Sequence, residues 1–216
     1  MESMYAPGKV DFDLDAEADE DPGLSKLIAY GQKSMRLLDD LKQSLKSLGS
    51  RGAWLLADYS DRPGHAGMAT QPMSYVFEVT ENGFLSGFQI NTHAIGDRAV
   101  REVLDQYESV FRLHPDINED HRFRIEHAQH IDPEDIPRFS EMGVIAAMQG
   151  IHMSSDRPWA IDRLGKKRIE ESAYVWRNLL KSGAVVINGT DVPVEPISPI
   201  ESFYASVTRK TLKGEP

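Results

Sequence analysis

From residue 87 onward, apolar positions come in short runs separated by stretches where they recur at helical spacing. Residues 88–92 read as a strand, and 97–111 as a helix with Val100, Val103, Leu104, Tyr107 and Phe111 turned inward. A second strand is expected at 123–126, with a helix at about 133–142, and a third strand at 144–148. A helix at about 167–182 carries Tyr174, Val175, Leu179 and Leu180, a fourth strand spans 185–188, and a last helix begins at Pro199. Strands alternating with helices predict a parallel α/β fold. The alternation alone leaves a (β/α)8 barrel and a doubly wound sheet both open.

The chain before residue 87 is patterned differently. Leu27, Ile28, Met35, Leu38, Leu41, Leu45 and Leu48 recur at helical spacing and Gly49 offers a stop, so 24–48 is expected to be helical. Residues 51–72 are rich in Gly, Pro, Asp and Ser and read as a long ordered loop. The first 22 residues hold eight acids against the single Lys9 and read as an acidic, solvated arm ahead of one domain at 23–216.

The polar residues at the strand ends carry the chemistry. One strand runs into His93, another into His127, and another into Asp191. In a parallel barrel the C-terminal strand ends share one rim, where active sites are built. Two imidazoles and a carboxylate suit Zn²⁺ or a similar first-row ion. Singly, each has a plainer explanation: a strand-end His is commonly a hydrogen-bonded polar residue, and Asp191 can hold the turn before Pro193. His130 and His152 are expected near substrate or behind the ligands, while His65, His114 and His121 lie in polar loops and read as surface residues. Asp97 is placed to cap a helix and to orient the His93 loop. Trp54, Trp159 and Trp176 read as packing residues.

Composition narrows the chemistry further. There is no cysteine, which excludes disulfides, thiol nucleophiles and cysteine-held zinc, so a metal must be held by His, Asp, Glu or a modified Lys. The net charge of −10 argues against a general nucleic-acid binder. No apolar run approaches the roughly 20 residues of a membrane helix, and no signal pattern opens the chain, so the cytoplasm is the expected compartment. Phosphate-binding loops, G-x-G-x-x-G and G-x-S-x-G are all absent.

Four motifs in order resemble family 3 of the amidohydrolase superfamily, the branch that includes N-substituted formamide deformylase. They are Leu48-Gly49-Ser50-Arg51-Gly52-Ala53, His93-Ala94-Ile95-Gly96-Asp97-Arg98-Ala99, Arg124-Ile125-Glu126-His127-Ala128-Gln129 and Gly189-Thr190-Asp191-Val192-Pro193-Val194-Glu195-Pro196. The resemblance implies a distorted (β/α)8 barrel binding one or two divalent ions, with zinc expected. It implies metal ligands at His93 on strand 5, His127 on strand 6 and Asp191 on strand 8. Asp191 would also move the proton between the attacking water and a leaving amine, with His152 touching the substrate or its oxyanion. His130, Asp97, Glu126 and Gln149 are expected to contact substrate or to support the ligands. The implied activity is hydrolysis of a small amide or N-formyl compound by activated water.

Two departures qualify this. The family's His-x-His pair has no counterpart here, and Leu45-Lys46-Ser47 stands where relatives have Asp-Gly before Leu-Gly-Ser-Arg. The bridging Lys of some relatives therefore does not transfer to Lys42 or Lys46. The expectation is a partial barrel holding strands from about 4 or 5 to 8, lacking strands 1–3 and prone to self-association through open edges. A catalytically inactive remnant or interaction module is the alternative, and a metal-dependent lactone or phosphoester hydrolase a further one.

Overall fold

The computed structural model describes residues 48–117 and 120–215. The acidic arm and nearly all of the helix expected at 24–48 fall outside them. Leu48, the last residue of that stretch, is described: it is buried, in a turn.

Four strands form one parallel sheet: β1 (Asn91–Ala94), β2 (Arg124–His127), β3 (Ile145–Met148) and β4 (Val186–Asn188). Their spatial order is their chain order, β1-β2-β3-β4. Every connection steps the same way, as around a barrel, and the described strands show no reversal of the kind a doubly wound sheet has at its switch point. The sheet is thus an arc of the (β/α)8 type.

The helices pack against one another in pairs. Helix α1 (Met73–Leu85) packs on α2 (Asp97–Leu113), and α3 (Ile136–Glu141) packs on α5 (Trp176–Ser182). Helix α4 (Gly150–Glu171) packs on α6 (Pro199–Thr208). Helix α2 follows directly from sequence pattern: Val100, Val103, Leu104, Tyr107 and Val110 form its buried stripe. Tyr107 is fully buried, and its hydroxyl donates to Thr92 Oγ1 at 2.7 Å, so its polar end is satisfied inside the core.

Two expectations required correction, and one helix lies where none had been stated. Helix α1 was not anticipated; it starts after Pro72 without a side-chain cap, and Gly83 interrupts its apolar face. Its end also displaces the strand expected at 88–92. Gly87 (φ 72°) donates to the Phe84 carbonyl and Phe88 to the Gly83 carbonyl, a Schellman closure, so Phe88 finishes the helix and β1 begins at Asn91. The helix expected at 167–182 is two. Residues up to Glu171 end α4, which runs through Pro158 and bends at Gly165 (φ 74°). Ser172 to Val175 leave the helical path because their backbone is bonded elsewhere: Tyr174 N–H donates to the Gln129 carbonyl, and Ala173 bridges to His130.

Register shows what faces away from the helices. Asn91, Arg124 and Ile145 are paired neighbours, as are His93, Glu126, Ala147 and Ile187. Paired residues share a face, so His93 stands over a lining that includes the ion-paired Arg124 and Glu126, 2.7 Å apart.

Candidate metal centre

At the C-terminal end of the sheet, three side chains from three different connections converge. One possible ligand atom from each of His127, His152 and Asp191 lies within 4.8 Å of the others. His127 ends β2, His152 sits in the first turn of α4 after β3, and Asp191 lies three residues past β4. The His93 ring joins them from β1, its centroid 4.3 Å from that of His127. Of the ligands implied by resemblance, His127 and Asp191 therefore fall in the tight group. His93 packs beside it, and His152 takes the third place.

The backbone is bent to make this happen. Strand alternation would put His127 on the face of its register neighbour Ala94, toward the helices. The chain instead enters the left-handed region at His127 (φ 71°) and Ala128 (φ 41°), and the imidazole lands against His93. Asp191 is left-handed too (φ 56°). Such residues cost on the order of 1–3 kcal/mol each and collect where function holds them.

Hydrogen bonds fix how the rings present themselves. Gln149 is buried and its Nε2 donates to the Ala147 carbonyl, which turns its Oε1 toward His127 Nδ1 at 2.8 Å. His127 thus carries its proton on Nδ1 and keeps Nε2 as a free donor atom. His152 places Nε2 3.1 Å from Asp191 Oδ2 and Nδ1 3.3 Å from Glu195 Oε1. Burial holds His127 below the ordinary imidazole range, against the opposing pull of Asp191 and Gln149. Burial pushes His152 the same way, but its bond to Asp191 and the charges of Asp156, Asp191 and Glu195 win and raise it. Asp191 is also penalised by burial, yet His152, His127 and His93 together hold it below the usual carboxylate range.

The remaining expected residues lie at varied distances from this chemistry. Glu126 is on the inner face, paired with Arg124. Asp97 opens α2 after Gly96 and does not cap it from the N-cap position. Its Oδ1 accepts from Leu56 N–H at 2.8 Å and Arg98 N–H at 2.9 Å, tying the 51–72 loop to the helix start. His130 is fully buried against the edge of Tyr174, and neither ring nitrogen has a partner among the described residues. Burial lowers its pKa to about 3.

Sequence reasoning missed two features. Glu195 was read only as part of a motif, although its place four residues after Asp191 is one helical turn away. Asp156 is likewise one turn past His152 on α4. It accepts from Tyr174 Oη at 2.5 Å and from Gln129 Nε2, in a cluster that joins two chain segments behind the histidines. No local signal marks Tyr174 or Gln129 as partners, because they meet only in the fold.

Residues 24–215 match the amidohydrolase family. The chain belongs to that family. It is 36 % identical over 163 residues to Protein LONG AFTER FAR-RED 3 of Arabidopsis thaliana, a match covering 76 % of this chain and 28 % of that protein. It is 27 % identical over 153 residues to N-substituted formamide deformylase of Arthrobacter pascens, covering 70 % of this chain and 28 % of that protein. Among solved structures, an uncharacterized metal-dependent hydrolase from Pyrococcus furiosus superposes with a TM-score of 0.65 at 32 % identity. That superposition covers 74 % of this chain and 32 % of the other. The amidohydrolase chain described here thus spans about three tenths of the length of the relatives it matches. Among its described residues, no helix is long and apolar enough to cross a membrane.

Proposed function

We propose that this chain carries part of the active site of a metal-dependent hydrolase of C–N bonds, acting on a small amide or N-formyl compound. The observation that supports it is the convergence of His127, His152 and Asp191 from three strand ends onto one point. Two nitrogen donors and one carboxylate oxygen are a fitting set for zinc, which commonly keeps a further position for water in catalytic sites. His127 Nε2, His152 Nε2 and an Asp191 oxygen would hold the ion, with His93 a neighbouring fourth donor. Bound there, such an ion supplies Lewis acidity, which acidifies a water and polarises a carbonyl.

The chain's own residues do the rest. Asp191, held ionised by three surrounding imidazoles, takes a proton from the attacking water and returns it to the leaving amine. Gln149 keeps the His127 ring oriented. The reading takes the cytoplasm as its compartment.

Turnover of N-formyl, amide, lactone and phosphotriester substrates by zinc-loaded protein tests the chemistry. Metal-dependent release of amine from the first two supports the reading, while turnover confined to lactone or phosphotriester reassigns it.

A further inference from the structure

Resting on the metal site just described, we propose that Glu195 is a positioning residue that aims His152. The two imidazoles of the donor group are anchored alike. His127 Nδ1 faces Gln149 Oε1 at 2.8 Å, and His152 Nδ1 faces Glu195 Oε1 at 3.3 Å. Each ring is therefore held at Nδ1 from behind, with Nε2 left toward Asp191 and the common point.

The chain brings Glu195 there by a local turn. Val194 N–H donates to the Asp191 carbonyl at 2.8 Å and Glu195 N–H to the same oxygen at 3.3 Å, folding the fourth residue after Asp191 back over His152. The Glu195 side chain is 13 % exposed and that of His152 11 %, so water competes weakly for the contact. Of the other two acids close to His152, Asp191 faces Nε2 and Asp156 is engaged by Tyr174 and Gln129. With Nδ1 bonded to a carboxylate, His152 keeps that proton when an ion takes the place of the Nε2 proton that Asp191 accepts, and Nε2 is then the stronger donor. Glu195 thus couples the orientation of His152 to the same loop that carries Asp191.

Zinc affinity, measured by competition with a chromophoric chelator, tests this on the wild type, Glu195→Gln and Glu195→Ala. Thermal melts of the metal-free proteins serve as the folding control. Glu195→Ala is expected to weaken zinc binding about 10- to 100-fold with an unchanged melt. Glu195→Gln, which keeps an oxygen acceptor, is expected to recover most of that loss. Cobalt(II) spectra should show a perturbed ligand field in the alanine variant and a near-native one in the glutamine variant. Wild-type affinity in Glu195→Ala, or equal weakening in both variants, would overturn the positioning role while leaving the metal site standing. A wild type that takes up no zinc would overturn the site itself and this inference with it.

Discussion

His130 should make the fold acid-sensitive by an amount that follows from its surroundings. Its ring is sealed in the interior, edge-on to Tyr174 with centroids 5.6 Å apart, and has no partner for either nitrogen among the described residues. Burial lowers its pKa to about 3, whereas an unfolded histidine titrates near 6.5. Below about pH 6.5 the unfolded chain takes up a proton that the folded chain refuses, so stability is present above that pH and is lost as pH falls. The loss is about 1.4 kcal/mol for each pH unit in that window, or about 3 kcal/mol between pH 6.5 and 4.5. The perturbation is His130→Leu, which keeps an apolar body of similar size and removes the titration. Urea unfolding of both proteins at pH 7.5 and 4.5 isolates the effect, since other groups titrate in both. The wild type should lose about 3 kcal/mol more than the variant over that interval. Equal losses would refute the reasoning and mean that His130 is hydrated or already protonated in the fold.

Other residues give sharper structural tests. Asp135 has a side chain only 3 % exposed between Arg101 and Arg138, so Asp135→Ala should cost about 3 kcal/mol in urea unfolding. A loss under 1 kcal/mol would show that Asp132, Glu134, Asp105 and Glu108 compensate the two arginines. A Cβ at Gly96 would stand 2.0 Å from the Trp54 carbonyl oxygen, a backbone atom that cannot swing away, so Gly96→Ala should cost about 2–3 kcal/mol and lower the melting temperature. The described sheet leaves outer edges at β1 and β4, and Ile200, Phe203 and Val207 on α6 are 73, 63 and 66 % exposed. Sedimentation velocity should therefore show concentration-dependent association; a monomer at every concentration, unfolding cooperatively, would contradict it.

The strands and their polar ends were legible because they depend on local pattern. Apolar runs at 123–126 and 144–148 sit within a residue of β2 and β3, and His127 and Asp191 fall at the rim where strand-end reasoning puts them. Helix α1 and the first part of α4 were hidden by Gly83 and Pro158, residues that read as breakers but stand inside helices here, whereas Gly165 does break the helical path of α4. The closeness of His152 to His127 and Asp191 was also hidden. It depends on left-handed backbone at His127 and Asp191 and on a first-turn position in α4, none of which leaves a mark in residue spacing. Sheet order, which separates a barrel arc from a doubly wound sheet, is a property of the assembled strands alone.

The most direct test of the account is metal content. Elemental analysis of purified protein, loaded with zinc and dialysed, should find close to one equivalent in the wild type and almost none in a His127→Ala, Asp191→Ala double variant that retains its far-UV circular dichroism. Equal zinc in both, or none in either, would contradict a metal centre at these strand ends.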